Sequence, residues 1–368
     1  INVYKTAINQ YRPYLSLRDA FEVFKFSIEK DFFNNDIYNA LSGNFTVNDI
    51  LKKIKKTKKK LKIKLVNSKI MNQLSYHVSN KKLNEAGLVL KNKIDHDIKD
   101  TLRLLGNIWM ICKITKDKIK PFMSFGKMPI ANGFLDKKNF KKEFFFNLEV
   151  GFSKKLSLFQ INDHPKPKQM FNNNYPFFTG SSKGMVNHFK LYAEWIKKNY
   201  GKNLKYLIEI GSNDGTFLEN FKKKNIKTIG FEPSKNVAEI SKKKGIKTIN
   251  KFFTYNNVKK FTKLKNKIDI ISAANVICHI PDIKSLIKGI DFLLKDDGIF
   301  VFEEPYLGSM YEKNSYDQIY DEHIYMFSVT SVNKIFKPFG FELINSIPQN
   351  THGGSMRYVI SRRNKNKI

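Results

Sequence analysis

The chain has 368 residues, 41% hydrophobic and 14% aromatic, with 66 Lys+Arg against 33 Asp+Glu for a formal charge of +33 at pH 7. This composition suits two or three folded domains and argues against disorder. No apolar run of about 18 residues and no charged start before an apolar core occurs, so a spanning helix and a secretory leader are not expected and the cytoplasm is the expected compartment.

Cys112 and Cys278 are the two cysteines, too few for a disulfide framework or for a zinc site made of thiolates. The sequence opens on Ile1 and reads as a window from a longer polypeptide. The positive charge by itself favours nucleic acid or an anionic membrane. Lysine, however, is spread along the whole chain beside Asn, Ile and Phe, a pattern that compositional drift produces without a binding role. The densest run, Leu51 to Lys64, sets nine lysines around Leu51, Ile54, Leu61 and Ile63, which predicts a helix with a solvated face leading into a strand. It lacks the interleaved aromatics that stack on bases, so neither nucleic acid nor membrane is expected as a partner.

Residues 1–106 alternate helical and strand patterns and contain no glycine-rich turn after a strand. Three blocks, Tyr11 to Ala20, Ile37 to Asn44 and Met71 to Tyr76, resemble the C-terminal part of NAD-dependent sugar-nucleotide epimerases and dehydratases. The dinucleotide fingerprint and the Tyr-x-x-x-Lys pair of that family are absent here, so epimerase activity is not expected. Residues 107–170, rich in Phe and Lys and including Pro129 to Leu135, read as a small loop-rich module. The third segment, 171–368, begins with a helix predicted over Met185 to Tyr200, where Met185, Phe189, Tyr192 and Trp195 recur at helical spacing.

After it, Tyr206 to Ile210 is a short buried-type strand that stops at Gly211-Ser212-Asn213-Asp214-Gly215, before a helix expected near Thr216. Further strands are expected at Thr228 to Glu232, Lys247 to Asn250, Ile268 to Ala273 and Gly298 to Glu303. Their alternation with helical segments implies an α/β, doubly wound Rossmann-like sheet. Ligands bind such sheets at the carboxyl ends of the strands. That edge gathers Glu209, Gly211, Asp214, Glu232, Asn275, His279, Glu303 and Glu304.

A dinucleotide loop needs G-x-G-x-x-G so that amides can approach a pyrophosphate. Here Asn213 takes the middle glycine position and Asp214 sets a carboxylate against phosphate. S-adenosylmethionine carries a sulfonium and an ammonium and no phosphate, so the loop suits it. On this reading Glu209, Gly211, Asn213, Asp214 and Gly215 form the cofactor loop, and Glu232 accepts both ribose hydroxyls. Phe252 or Phe253 stacks on adenine, and Asn275 lines the methionine portion.

Five blocks then carry a resemblance: Glu209 to Gly215, Phe231 to Asn236, Asn275 to Asp282, Ile319-Tyr-Asp-Glu-His323 and Thr351-His-Gly-Gly-Ser-Met-Arg357. From about Cys112 to Arg362 the chain resembles the sugar C-methyltransferases that methylate dTDP-linked 4-keto deoxysugars. The resemblance implies a class I methyltransferase fold, a nucleotide-linked keto sugar as substrate, and Tyr320, Glu322, His323 and His279 around the sugar. His323 is then the base, its unperturbed pKa of about 6.5 lying near working pH; Glu322 orients it, and Tyr320 and His279 donate to the enolate. Tyr175 closes over the sugar, and Thr351, His352 and Arg357 contact substrate or brace the last hairpin.

The family's usual His-Glu-His reads Asp321-Glu322-His323 here. Its zinc module has two Cys-x-x-Cys pairs, whereas the four positions here read Cys112, Thr115, Ser153 and Leu156, so no zinc is expected. Relatives continue into a further nucleotide-binding-like domain, so domains missing at both ends are expected. An RNA methyltransferase and a non-catalytic scaffold assembled from fused fragments are the alternatives.

Overall fold

A computed structural model describes residues 2–57, 62–67, 75–91, 94–105, 109–222 and 225–365. The chain forms two compact units, Ile1–Ile108 and Trp109–Ile368. In the first, Tyr11–Tyr14 pairs antiparallel with Gly43–Thr46, and Asn2–Tyr4 pairs parallel with Lys64–Val66. The helix Leu17–Glu29 starts at Ser16, whose Oγ accepts the Asp19 N–H at 3.0 Å, satisfying one of the amides a helix start leaves unpaired. The lysine-rich helix runs over Val47–Thr57 with Leu51 buried, and a strand follows at Lys64–Val66, in the order the charge pattern predicts. Of the three epimerase-like blocks, Met71 to Leu74 lie outside the described residues.

The second unit is built on a seven-stranded sheet: β1 Tyr206–Ile210, β2 Lys227–Phe231, β3 Thr248–Ile249, β4 Ile268–Ala274, β5 Leu294–Pro305, β6 Phe341–Gln349 and β7 Ser355–Arg362. Their order is β3-β2-β1-β4-β5-β7-β6. The pairs from β3 to β5 are parallel, while β7 runs antiparallel between β5 and β6. The central strand is apolar on both faces because helices cover both: Leu207, Ile208 and Ile210 are all buried, with Ile208 opposite Ile229 on one side and Ile271 on the other. The order reverses between β1 and β4, which fixes the ligand crevice at their carboxyl ends.

A four-stranded antiparallel sheet made of Pro121–Pro129, Phe145–Ser153, Leu158–Ile161 and Tyr325–Met326 lies in the same unit. Its last strand comes from the segment just after His323, so the module is stitched to that segment by main-chain hydrogen bonds such as Ile161 N–H to Ile324 O, 3.0 Å. One continuous cluster of buried residues runs from Cys112, Val150 and Ile161 to Ile208 and Phe302.

The helix expected near Thr216 is instead a 3₁₀ turn over Leu218–Phe221. The Asn220 side chain donates to the carbonyls of Thr216 and Phe217 at 3.0 and 3.1 Å, taking acceptors that helical amides would use.

Candidate active site

Gly211 has φ +67°, and a Cβ there would lie 2.3 Å from Val276 Cγ2, so only glycine lets the β1 and β4 loops meet. Asn213 follows in the left-handed region at φ 46°. Its amide donates to Glu232 Oε2 at 2.9 Å, and the Ser234 amide donates to Glu232 Oε1 at 2.8 Å. Glu232 is thereby fixed in the wall of a cavity, with burial pushing its carboxyl up to about 6 despite these amide bonds.

That cavity has a volume of about 740 Å³, within the range of small-molecule sites. Of the residues expected to bind cofactor, Gly211, Asn213, Glu232, Phe252, Phe253 and Asn275 line it. Glu209, Asp214 and Gly215 sit behind the wall. The Asp214 carboxylate accepts from Gly180 N–H at 2.9 Å and Thr216 Oγ1–H at 2.6 Å, so it builds the loop from inside and does not face the cavity. Glu209 is 4% exposed, its Oε2 has no partner, and burial beside Glu232 and Asp214 holds its carboxyl well above the ordinary range.

Asn275 Oδ1, on a residue at φ 56°, is likewise buried without a partner. Asn275 lines the cavity, and its unpaired amide oxygen fits a ligand with ammonium or hydroxyl donors. Phe253 is buried edge-on to Phe231, ring centroids 5.0 Å apart, and is core; Phe252 is the half-buried ring at the cavity wall.

Tyr175, His279, Tyr320, Glu322, His323 and His352 also line the cavity. His323 Nδ1 faces the carbonyl of Gln318 at 2.8 Å. A carbonyl only accepts, so Nδ1 carries the proton and Nε2 keeps its lone pair, toward which the Tyr320 hydroxyl donates at 3.1 Å. Burial lowers His323 to about 4 and His279 well below its ordinary value, so both are neutral at pH 7. The rings of Phe171, His279 and His323 stack in turn at 5.6 and 5.4 Å, and His279 Nε2 is buried without a partner.

Glu322 does not hold His323 as expected. Its oxygens take Asn132 Nδ2–H at 2.8 Å and the Tyr175 hydroxyl at 3.5 Å, and burial raises its carboxyl to about 7. Two further residues, expected to contact substrate or brace the last hairpin, lie outside the cavity lining. Arg357 is 4% exposed and away from the cavity: its Nε donates to Glu303 Oε1 at 2.7 Å, and its guanidinium lies 4.2 and 4.6 Å from the ring centroids of Tyr192 and Trp195. Thr351 is also outside the lining, its carbonyl taking the Gly354 amide and the Ser355 hydroxyl. His352, at φ 50°, is the residue of that turn that reaches the cavity.

Sequence reasoning missed Asn132, Gln318 and Phe171. The Pro129 to Leu135 block marked the first of these without giving it a role.

Cys112 and Ser153 each start a tight turn closed by a left-handed residue, Lys116 at φ 66° and Ser157 at φ 53°, and Ser153 Oγ accepts the Leu156 amide at 3.3 Å. Cys112, Ser153 and Leu156 are buried. One thiol, two hydroxyls and an alkyl group do not suit a zinc ion, and the two turns here are held by packing and by hydrogen bonds.

Strand order 3-2-1-4-5-7-6, a glycine turn after the first strand and an acid after the second define the S-adenosylmethionine-dependent methyltransferases of class I, and this chain carries such a domain. Residues 186–346 match the family described as "Methyltransferase domain" and residues 111–171 the family described as "Putative zinc binding domain". Among curated proteins, the C-methyltransferase NovU of Streptomyces niveus is 27% identical over 236 residues, 64% of this chain and 56% of NovU, so the chain spans little more than half of that relative.

Similar solved structures include the magnesium protoporphyrin IX methyltransferase ChlM of Synechocystis PCC 6803 with bound SAH, 13% identical, covering 49% of this chain and 84% of that one with a TM-score of 0.39. A SAM-dependent methyltransferase from Archaeoglobus fulgidus is 16% identical, covering 48% and 94%, with a TM-score of 0.39.

Proposed function

We propose that the chain transfers a methyl group from S-adenosylmethionine to the carbon beside the ketone of a nucleotide-linked keto deoxysugar, dTDP being the nucleotide. The observation that carries this reading is the pair Tyr320–His323, with an imidazole lone pair and a hydroxyl 3.1 Å apart in the lining of the same cavity as Glu232. The resemblance to a C-methyltransferase supports the choice of carbon as acceptor.

When bound, the cofactor supplies an electrophilic methyl group. The chain's own residues supply the rest. His323 Nε2 takes the proton from the carbon beside the ketone. The Tyr320 hydroxyl, which donates to that nitrogen in the free chain, then turns to the enolate oxygen. Burial makes a lone imidazolium costly, but a developing enolate beside it offsets that cost and couples proton removal to enolate formation. Glu322, gripped by Asn132, holds the Tyr175 hydroxyl at the cavity wall.

The test is proton exchange without methyl transfer. A dTDP-4-keto deoxysugar incubated in deuterated water with a non-methylating cofactor analogue should gain deuterium beside the ketone. His323→Ala should abolish the exchange and leave cofactor affinity within about threefold, under roughly 0.7 kcal/mol. Exchange surviving in His323→Ala would move the base to His279, and no exchange in the parent chain with cofactor bound would favour a non-catalytic scaffold.

A further inference from the structure

Cys278 takes no part in the reaction proposed above, yet it lies in the same nest of side chains. One ligand atom each from Cys278, His279 and His323 falls within 4.8 Å of the others. All three residues are at least nine-tenths buried. His279 Nε2 has no hydrogen-bond partner, and the two imidazole rings lie nearly parallel, 18° apart with centroids at 5.4 Å. The backbone around the thiol is fixed: the Val276 and Ile277 amides both donate to Glu304 Oε1, at 2.9 and 2.5 Å.

A thiol and two neutral imidazoles form a borderline-soft donor set, the kind that selects Zn²⁺ or Co²⁺ over Mg²⁺ or Ca²⁺. Both histidines line the cavity, so a metal held by the three would keep its fourth position toward that space.

We propose that Cys278, His279 and His323 form an inhibitory binding site for a divalent transition metal. On binding, the thiol gives its proton to the buffer and the sulfur and two ring nitrogens each donate a lone pair to the metal. The Gln318 carbonyl holds the proton on His323 Nδ1, so Nε2 is the nitrogen offered once the Tyr320 hydroxyl turns away from it. That same lone pair is the one assigned to proton removal, so a bound metal and an active base exclude each other. The inhibitory half of this inference rests on the proposed function; the metal site does not.

The experiment titrates the whole chain with Co²⁺ alone and follows the thiolate-to-cobalt charge-transfer absorption in the near ultraviolet. The parent and Cys112→Ser should each bind one Co²⁺ with this band, and Cys278→Ser should lose it. Cys278→Ala carries the same expectation should serine disturb the core. No band in the parent, a band retained in both Cys278 variants, or a band lost in Cys112→Ser would overturn the site.

In the deuterium-exchange assay, one equivalent of Zn²⁺ should slow the parent at least about tenfold, reversibly with chelator, and leave Cys278→Ser within about twofold. Equal inhibition of both would overturn the inhibitory role. Exchange absent from every variant, metal-free included, would sink the proposed function while the cobalt spectrum still decides the site.

Discussion

Arg357→Ala separates two roles for one residue. The Thr351 to Arg357 motif leaves Arg357 as a substrate contact or a brace of the last hairpin, and the structure sets it between β5 and β7. Glu303 is its direct cross-strand partner, and both are buried, at 4% and 1% exposure. Truncation leaves the Glu303 carboxylate inside the sheet with His188 Nε2, at 2.6 Å, as its other neighbour. Removing one member of a buried charge pair costs about 3–5 kcal/mol, and the lost stacking on Tyr192 and Trp195 adds roughly 1 kcal/mol. The retained His188 contact offsets part of this, so about 4 kcal/mol is expected.

At about 2–4 °C per kcal/mol for a unit of this size, Tm should fall by roughly 8–16 °C, read by thermal unfolding followed in near-ultraviolet circular dichroism. Arg357→Met with Glu303→Gln, which removes both charges, should recover more than half of the loss. Cofactor affinity measured well below the transition should be unchanged. A variant that keeps its Tm within about 2 °C and binds cofactor normally, yet binds sugar nucleotide tenfold more weakly, would refute the brace and restore the substrate contact.

Asn132→Ala removes a 2.8 Å bond to the Glu322 carboxylate. Because that bond favours the ionised form, its loss, worth about 1.5–3 kcal/mol at 1.36 kcal/mol per pH unit, should move the limb of the exchange profile near pH 7 upward by about one to two pH units; an unmoved limb would detach Glu322 from the reaction. Ribose hydroxyls donating to Glu232, whose carboxyl is raised to about 6, should ionise it, so cofactor binding at pH 6 should release up to about half a proton and at pH 8 almost none. Calorimetry in buffers of different ionisation heat measures this, and Glu232→Gln should erase the release and weaken binding about tenfold or more. Gly211→Ala sets a Cβ against Val276 at a positive φ, which should cost about 1–3 kcal/mol in denaturant unfolding and weaken cofactor binding. Parent-like stability and binding in that variant would mean that the β1 turn does not need its glycine.

What could be read in advance was whatever depends on neighbours in sequence. The run Tyr206 to Ile210 declares a strand by its apolar residues, and the glycine after it declares a turn, because both follow from local sterics and burial. Motifs likewise brought Tyr320, His323 and His279 to one place. Roles set by contacts distant in sequence were not legible. Asn132 meets Glu322 across 190 residues, and no local pattern distinguishes it from any other loop asparagine. Asp214 looked like a cofactor ligand because its loop position is right, but its short side chain is captured by Gly180 and Thr216 first. Arg357 stayed open between substrate contact and hairpin brace for a similar reason: a motif gives its position in the chain, whereas only strand register places it opposite Glu303.

The charge of the whole chain is the weakest guide to its site. A formal +33 invites an anionic partner, yet the carboxyl ends of β1, β2 and β5 carry the buried acids Glu209, Glu232, Glu303 and Glu304. Screening explains how both coexist. Exposed lysines interact through water, where at physiological salt their fields decay over about 8 Å, while a buried carboxylate acts on a ligand beside it through a medium of much lower dielectric. Glu303 is neutralised by Arg357, and Glu304 Oε1 takes two backbone amides. Glu209 Oε2 and Glu304 Oε2 keep no partner, and Glu232, which also takes two backbone amides, lines the cavity. Of these four acids, Glu232 is the one that lines the cavity. A positively charged ligand beside Glu232 favours its ionised form and offsets part of the desolvation that raises it, which links binding of such a ligand to the ionisation of that group.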